Sequence, residues 1–296
     1  MMTSTSKDIK PNSLYFDEYG RPNGILLVDK PAGVTSHDIV AKTRRDLGYK
    51  KVGHAGALDV FSSGLLIILI GKSTKLSDTF LNKDKSYKAR IIFGIETETQ
   101  DPEGEILKLD TENTLNEAEL QQVLKSFGNG YSQYVSIYSS VKVGGKKLRK
   151  VLREKNWEHE VIESATNKIL KFRNINEPAK EYEIEVPRRD IKLYALNLEA
   201  FGKIKATDLP FIAMPDPETE FKYADIYVTC SKGTYIRQLA EDIARKAGTV
   251  GALATLRRVH IGDWSEADAI TSEDISSFKS PTKVTEDIQA ADAAEE

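Results

Sequence analysis

Cysteine is almost missing from this chain: Cys230 stands alone among 296 residues, so neither an internal disulfide nor a Cys-rich zinc site can form, and a reducing compartment is expected. Long apolar runs are missing too. The longest, Leu65 to Ile70, is far short of the roughly 20 residues that a membrane helix needs. The first twenty residues are polar and contain no apolar stretch of the secretory kind, which points to the cytoplasm and away from a membrane. Histidines number four (His37, His54, His159 and His260) and are scattered along the chain, which argues against metal catalysis. No G-x-S-x-G, H-E-x-x-H or G-x-G-x-x-G pattern occurs. Gly71-Lys72-Ser73 lacks the glycine five positions earlier that a phosphate loop requires, because Leu66 sits there inside the apolar run. A metal is not expected.

What is present fits a folded protein, with 40% hydrophobic and 29% charged residues and enough length for one large domain or two ordinary ones. The net charge of −3 hides an uneven distribution. Residues 273–296 carry seven Asp or Glu against two Lys, a net −5, and read as a disordered acidic tail. The other 272 residues hold 40 basic and 38 acidic groups. Within them Lys142 to Lys155 has seven Lys or Arg and only Glu154, a local +6 that suits either nucleic acid or a solvated helix face.

Periodicity divides the chain into mixed elements. Residues 1–22 are a polar, flexible lead-in. Gly24 to Asp29 reads as a short buried strand, and Ser36 as the cap of a helix that runs to Leu47 and stops at Gly48. Leu65 to Ile70 reads as a central strand and Thr74 to Leu81 as a short helix. In Ser86 to Gly94, alternation puts Tyr87, Ala89, Ile91 and Phe93 on one face and Lys88 and Arg90 on the other. Asn116 and Glu119 resemble a capping box ahead of Leu120, Val123, Leu124 and Phe127 at helical spacing. Lys146 to Lys155 looks helical, with Leu148, Val151 and Leu152 as an apolar seam. Residues 157–180 and 207–222 are polar and read as insertions or surface loops. Strands follow near 181–186, 190–199 and 223–230, and an amphipathic helix spans Tyr235 to Ala247. The expected fold is mixed α/β (α+β), a mixed sheet flanked by helices.

The densest feature is Gly53-His54-Ala55-Gly56-Ala57-Leu58-Asp59-Val60-Phe61-Ser62-Ser63-Gly64, immediately before the apolar strand. Its glycines and alanines allow another chain to approach the backbone closely. A carboxylate in such a loop can be a covalent nucleophile, a metal ligand or a turn cap.

This segment resembles the active-site motif of the TruB family of tRNA pseudouridine synthases, approximately G-H-T-G-T-L-D-P-x-A-x-G-L-L, through Gly53, His54, Gly56, Leu58, Asp59, Gly64, Leu65 and Leu66. Asp29-Lys30-Pro31-Ala32-Gly33-Val34-Thr35-Ser36 is similar to the family's D-K-P-x-G-x-T-S, and Gly71 to Lys75 to its G-x-A-T-K. Lys85-Ser86-Tyr87 matches K-x-Y. Gly94 to Gly104 follows G-x-x-T-D-T-x-D-x-x-G with Glu98 for the first Asp. Ser231 to Arg237 reads S-K-G-T-Y-I-R unchanged, and Leu256-Arg257-Arg258 matches L-R-R. Ala55, Ala57 and Val60 depart from the family, and Val135 to Lys142 is an eroded P-P-x-Y-S-A-x-K that keeps Tyr138, Ser139 and Lys142.

The resemblance implies a pseudouridine synthase fold with a largely antiparallel mixed sheet, and isomerisation of the T-loop uridine at tRNA position 55. The base is detached at N1, rotated and reattached through C5, with no cofactor and no energy input. Asp59 then matches the nucleophile, attacking either base or ribose, and Arg237 the arginine that pairs with it. Tyr87 matches the ring that stacks on the target base, Tyr235 and Leu256 the lining of the uracil pocket, and His54 the residue that holds the flipped base's place in the T loop. Lys30 orders the catalytic loop, and Lys142 belongs to the RNA-gripping region, here 131–180. The implied catalytic domain is 23–272, without the C-terminal PUA domain of many relatives, working as a monomer on a T-arm stem-loop. The competing readings are a non-catalytic tRNA-binding or folding protein and a synthase acting at another RNA site.

Overall fold

The computed structural model describes residues 10–139, 141–143, 146–152, 154–164, 167–211 and 216–278. The chain divides into two compact units: residues 1–89 with 227–232 and 255–296, and residues 90–226 with 233–254.

In the first unit the strand Pro22–Lys30 runs antiparallel to Ser63–Ile70, with Asp29 opposite Leu65 and Lys30 opposite Gly64. Strand Val52–His54 pairs with the far end of Ser63–Ile70, and residues 257–258 pair in parallel with its beginning. Both faces of this sheet are covered, which explains an apolar run without alternation. On one face Leu26, Val28, Leu66, Ile68 and Ile70 pack against Ile39 and Val40 of the helix Ser36–Leu47. On the other, Ile25, Leu27, Leu65, Ile67 and Leu69 pack with Phe80 and Ile261. Each such side chain contributes about 2 kcal/mol.

Four expectations are corrected here. The lead-in is not wholly unstructured, since Ser13–Phe16 pairs with residues 22–25. The helix cap is Thr35 rather than Ser36. Thr35 has extended φ and ψ, its hydroxyl accepts from Asp38 N, and the Asp38 carboxylate accepts from Thr35 N, a complete capping box. Ser36 is thereby the first helical residue, with its hydroxyl turned to the Asp59 loop. Gly48 ends the helix at φ 63°, as read from the sequence. The expected helix 74–81 is a 3₁₀ turn, Gly71–Leu76, followed by one short α-helix, Ser77–Leu81. Finally, the tail does not begin at 273: Ile275 is fully buried against the Ser36–Leu47 face, within the turn Asp274–Phe278. The rest of the acidic stretch, 279–296, lies outside the described residues.

In the second unit Gly130–Tyr134 runs antiparallel to the start of the long strand Arg188–Lys205. Helix Glu117–Lys125 carries the expected Asn116–Glu119 capping box, and helix Ile236–Lys246 buries Ile236, Leu239, Ala240 and Ile243. One core gathers Ile92, Ile95, Leu209, Phe211, Phe221 and Ala252, so the stretch 207–222 is more than a surface insertion. Residues 157–180 are not a patternless loop either. Trp157–Glu163 and Lys168–Asn174 pair antiparallel, and Glu181–Glu185 completes a three-stranded sheet. Its inner face, with Leu170, Phe172, Tyr182 and Ile184, packs on Tyr134, Val135, Leu148 and Val151. The expected helix 146–155 shrinks to one turn, Leu148–Val151, because Lys146–Lys147 pairs with Lys142–Val143 as a ribbon. A Gly-Gly pair between these two-residue strands is a hairpin signal.

Candidate active site

Asp59 lies half-buried in the loop between Val52–His54 and Ser63–Ile70. Both of its neighbours are fixed by buried side chains. The Ser36 hydroxyl accepts from Leu58 N at 2.9 Å and lies 3.3 Å from Leu58 O. The fully buried Lys30 ammonium donates to Pro31 O at 2.9 Å, Val34 O at 2.7 Å and Val60 O at 3.4 Å. Gly33 N also donates to Val60 O, so the 31–36 turn is laced onto the Asp59 loop. Asp59 O accepts from Ser62 N and the Ser62 hydroxyl, which closes the turn beyond the carboxylate.

Arg258, only 2% exposed, braces the same loop. Its Nε donates to Leu65 O at 2.8 Å and its Nη2 to Gly56 O at 3.0 Å, and its guanidinium also reaches the Tyr87 hydroxyl. Gly64 must be glycine, since at φ +99° a Cβ would come within 2.4 Å of Arg258 O. Tyr87 is buried on the strand Lys85–Phe93, on the face its alternation indicated. Burial pushes its phenol up to about 12, against the opposing pull of Arg258, so the hydroxyl keeps its proton at neutral pH. Burial, and then the Arg258 and His37 charges, hold His54 below its ordinary value, leaving a neutral imidazole. Leu256 is buried two residues before Arg258 on the same strand. The Lys85 ammonium caps the turn after Ser77–Leu81 through Phe80 O, Leu81 O and Lys83 O.

The second unit holds Arg237, Tyr235 and Lys142. Arg237 opens the helix Ile236–Lys246, and its Nη1 donates to Thr99 O at 2.9 Å and Asp101 Oδ2 at 3.1 Å. The Asp101 carboxylate is itself shaped by the 97–104 turn: its Oδ1 accepts from the Thr99 hydroxyl and from Glu103 N. The Tyr138 hydroxyl donates to Glu98, the residue in place of the family's first Asp. Tyr235 sits at the helix start, partly buried against the Tyr134–Phe172 cluster. Lys142 is exposed. Among the described residues no group of three His, Cys, Asp or Glu is placed to hold a metal ion, and no helix is long and apolar enough to cross a membrane.

Residues 44–190 match the model of the TruB family pseudouridylate synthase N-terminal domain. The tRNA pseudouridine synthase B of Staphylococcus saprophyticus is 37% identical over 258 residues, 86% of this chain and 72% of that protein. The tRNA pseudouridine synthase B of Opitutus terrae is 33% identical over 88% of this chain and 89% of its own length. The chain belongs to the TruB family. Among solved structures, a Cbf5-Nop10-Gar1 complex matches with a TM-score of 0.55 at 21% identity, over 92% of this chain and 61% of the matched one. An H/ACA RNP bound to a substrate RNA containing 2′-deoxyuridine matches with a TM-score of 0.52 at 20% identity, over 91% and 61%. These likenesses bear on the fold, which is the expected pseudouridine synthase fold.

The first unit thus holds Lys30, His54, Asp59, Tyr87 and Leu256, and the second holds Tyr235, Arg237 and Lys142. Two further residues of this TruB-family chain gain a role from the structure that the sequence alone did not assign. Arg258 hides in an apolar strand, although the matched L-R-R was a pointer to it. Asp101 is the second acid of the T-x-T-x-D turn, and that spacing could have marked it as a partner for a buried cation.

Proposed function

We propose that this TruB-family protein converts uridine to pseudouridine in tRNA, at position 55 of the T loop, with Asp59 as the nucleophile. The reaction breaks the N1–C1′ bond and forms C5–C1′; N1 gains a proton and C5 loses one, so no redox partner is needed. What supports this reading most is the fixation of the Asp59 loop from both sides, by Ser36 at Leu58 and by Lys30 at Val60. A turn cap needs no such anchoring, whereas a nucleophile gains rate from a fixed approach. Asp59 forms the covalent adduct. The Tyr87 ring stacks on the flipped uracil, and Tyr235 and Leu256 line its pocket. His54, as a neutral imidazole, fills the gap the base leaves in the T loop. Lys142 and the cations that follow it track phosphates. The protein acts as a monomer in the cytoplasm, and a T-arm stem-loop suffices as substrate. Mapping pseudouridine in unmodified tRNA and in the stem-loop, after incubation with the pure protein, tests the reading; no product in either would overturn it.

A further inference from the structure

Helix Ile236–Lys246 begins without a side-chain cap of its own: its N-cap position is Tyr235, which cannot accept from the first-turn amides as Ser or Asp would. The backbone of Tyr235 is held instead from another strand. Gln133, 1% exposed on Gly130–Tyr134, accepts from Tyr235 N through Oε1 at 2.9 Å and donates to Tyr235 O through Nε2 at 3.1 Å. This amide pair closes on one residue from both ends, as a neighbouring strand would. The carboxamide cannot turn over, because Nε2 also donates to the Tyr131 hydroxyl at 2.9 Å, and that hydroxyl is committed as donor to Asp242. Gln238 Nε2 in turn donates to Asp242 Oδ1 at 2.9 Å, so the clamp returns to the helix it caps. Burial and then the Asp242 carboxylate raise the Tyr131 phenol, so it keeps its proton.

We infer that Gln133 is a positioning residue for pseudouridine formation, setting the backbone of Tyr235 and so the wall of the uracil pocket. The inference rests on the pocket role proposed for Tyr235. It differs from general stability because the clamp acts on one residue, whose ring is the working part. Truncating Gln133 therefore frees Tyr235 to adopt other backbone angles while leaving the phosphate-tracking cations untouched.

The test is a double-mutant cycle on T-arm stem-loop turnover, using Gln133→Met, Tyr235→Leu and the pair. Gln133→Met should lower kcat by about tenfold or more with KM within about twofold, since misplacement costs rate rather than phosphate binding. In the Tyr235→Leu background the same change should cost less than about threefold, because the residue it positions is gone. Full multiplication of the two effects, or a loss confined to KM, overturns the inference. A Tyr235→Leu variant as active as wild type refutes the pocket role itself, and wild type without product refutes the function; these failures are distinguishable from that of the clamp. Should Gln133→Met not fold, Gln133→Glu supplies the readout. An ionised Glu faces Tyr235 O with an oxygen, while a protonated one can donate to it, so kcat relative to wild type should recover as pH falls from 8 to 6. A pH-independent ratio overturns the inference.

Discussion

The Lys30 ammonium and the carbonyl of Val60 meet across thirty residues of sequence, at 3.4 Å, one position beyond Asp59. Lys30 is a fully buried cation that donates to three backbone carbonyls, Pro31 O, Val34 O and Val60 O. A side chain placed in this way ties the turn after its own strand to the loop that carries Asp59.

Replacing it with an apolar group of similar length should therefore damage both fold and chemistry. Lys30→Met leaves buried carbonyls without their donor and should cost about 2–3 kcal/mol of stability. A fall in the urea unfolding midpoint, with kcat reduced more than RNA binding, is the expected result. An unchanged midpoint would show that the loop holds itself.

Asp101 and Arg237 make a buried pair, with side-chain exposures of 2% and 10%. Removing one charge strands the other, so Asp101→Asn should cost about 3 kcal/mol and lower the thermal midpoint. Turnover should fall with it, because Arg237 then loses the charged partner that helps Thr99 O to orient it. Thermal denaturation and a kcat measurement at 25 °C check both parts.

The histidine gives a pH signature. In the folded protein His54 binds its proton more weakly than the ordinary histidine does. On acidification the unfolded chain is therefore protonated first, so stability contributed by His54 is intact above pH 6.5 and is lost progressively below it. Unfolding free energy measured from pH 8 to 5 should decline below 6.5 in wild type, and His54→Gln should flatten that decline. Identical profiles would mean that other groups dominate.

Much of this organisation was legible in the sequence, and what was not has physical reasons. The run Leu65–Ile70 announces a strand covered on both faces, and Tyr87, Ala89 and Ile91 alternate clearly enough to place the Tyr87 ring. The strand near 181–186 was expected, but its two partners over 157–174 were missed because their inward residues, among them Leu170 and Phe172, are set between charges. The outer face of this sheet holds Lys171 and Arg173 paired with Glu181, which reads as a solvated loop. Gln133 could not be found from the chain at all, since its meaning lies in a partner 102 residues away.

The end of the fold can be located by truncation. Ile275 is fully buried on the Ser36–Leu47 helix, so Ile275→Ala should cost about 2–4 kcal/mol. Deleting 273–296 should destabilise the protein similarly, whereas deleting only 279–296 should leave the unfolding midpoint in place. Equal effects of the two deletions would contradict the packing of Ile275.

Lys142, Lys150 and Lys155 are exposed cations of the basic stretch. Changing all three to Gln should raise KM for the stem-loop and lower the slope of log K against log salt by roughly 0.7–0.9 for each phosphate left unneutralised. The modified base should stay the same, because binding to phosphates carries no sequence information. Unaltered binding at every salt concentration would make these lysines a solvated face.

The most direct measurement is the site-resolved amount of pseudouridine formed in unmodified tRNA by wild type and by Asp59→Asn, with RNA affinity measured in parallel. Asp59→Asn keeps the shape of the side chain and removes the carboxylate to which the proposal assigns the adduct. Near-complete conversion at position 55 by wild type is expected, with none by the variant although it binds tRNA within a few-fold. Appreciable conversion by Asp59→Asn would contradict the assignment of Asp59 as nucleophile.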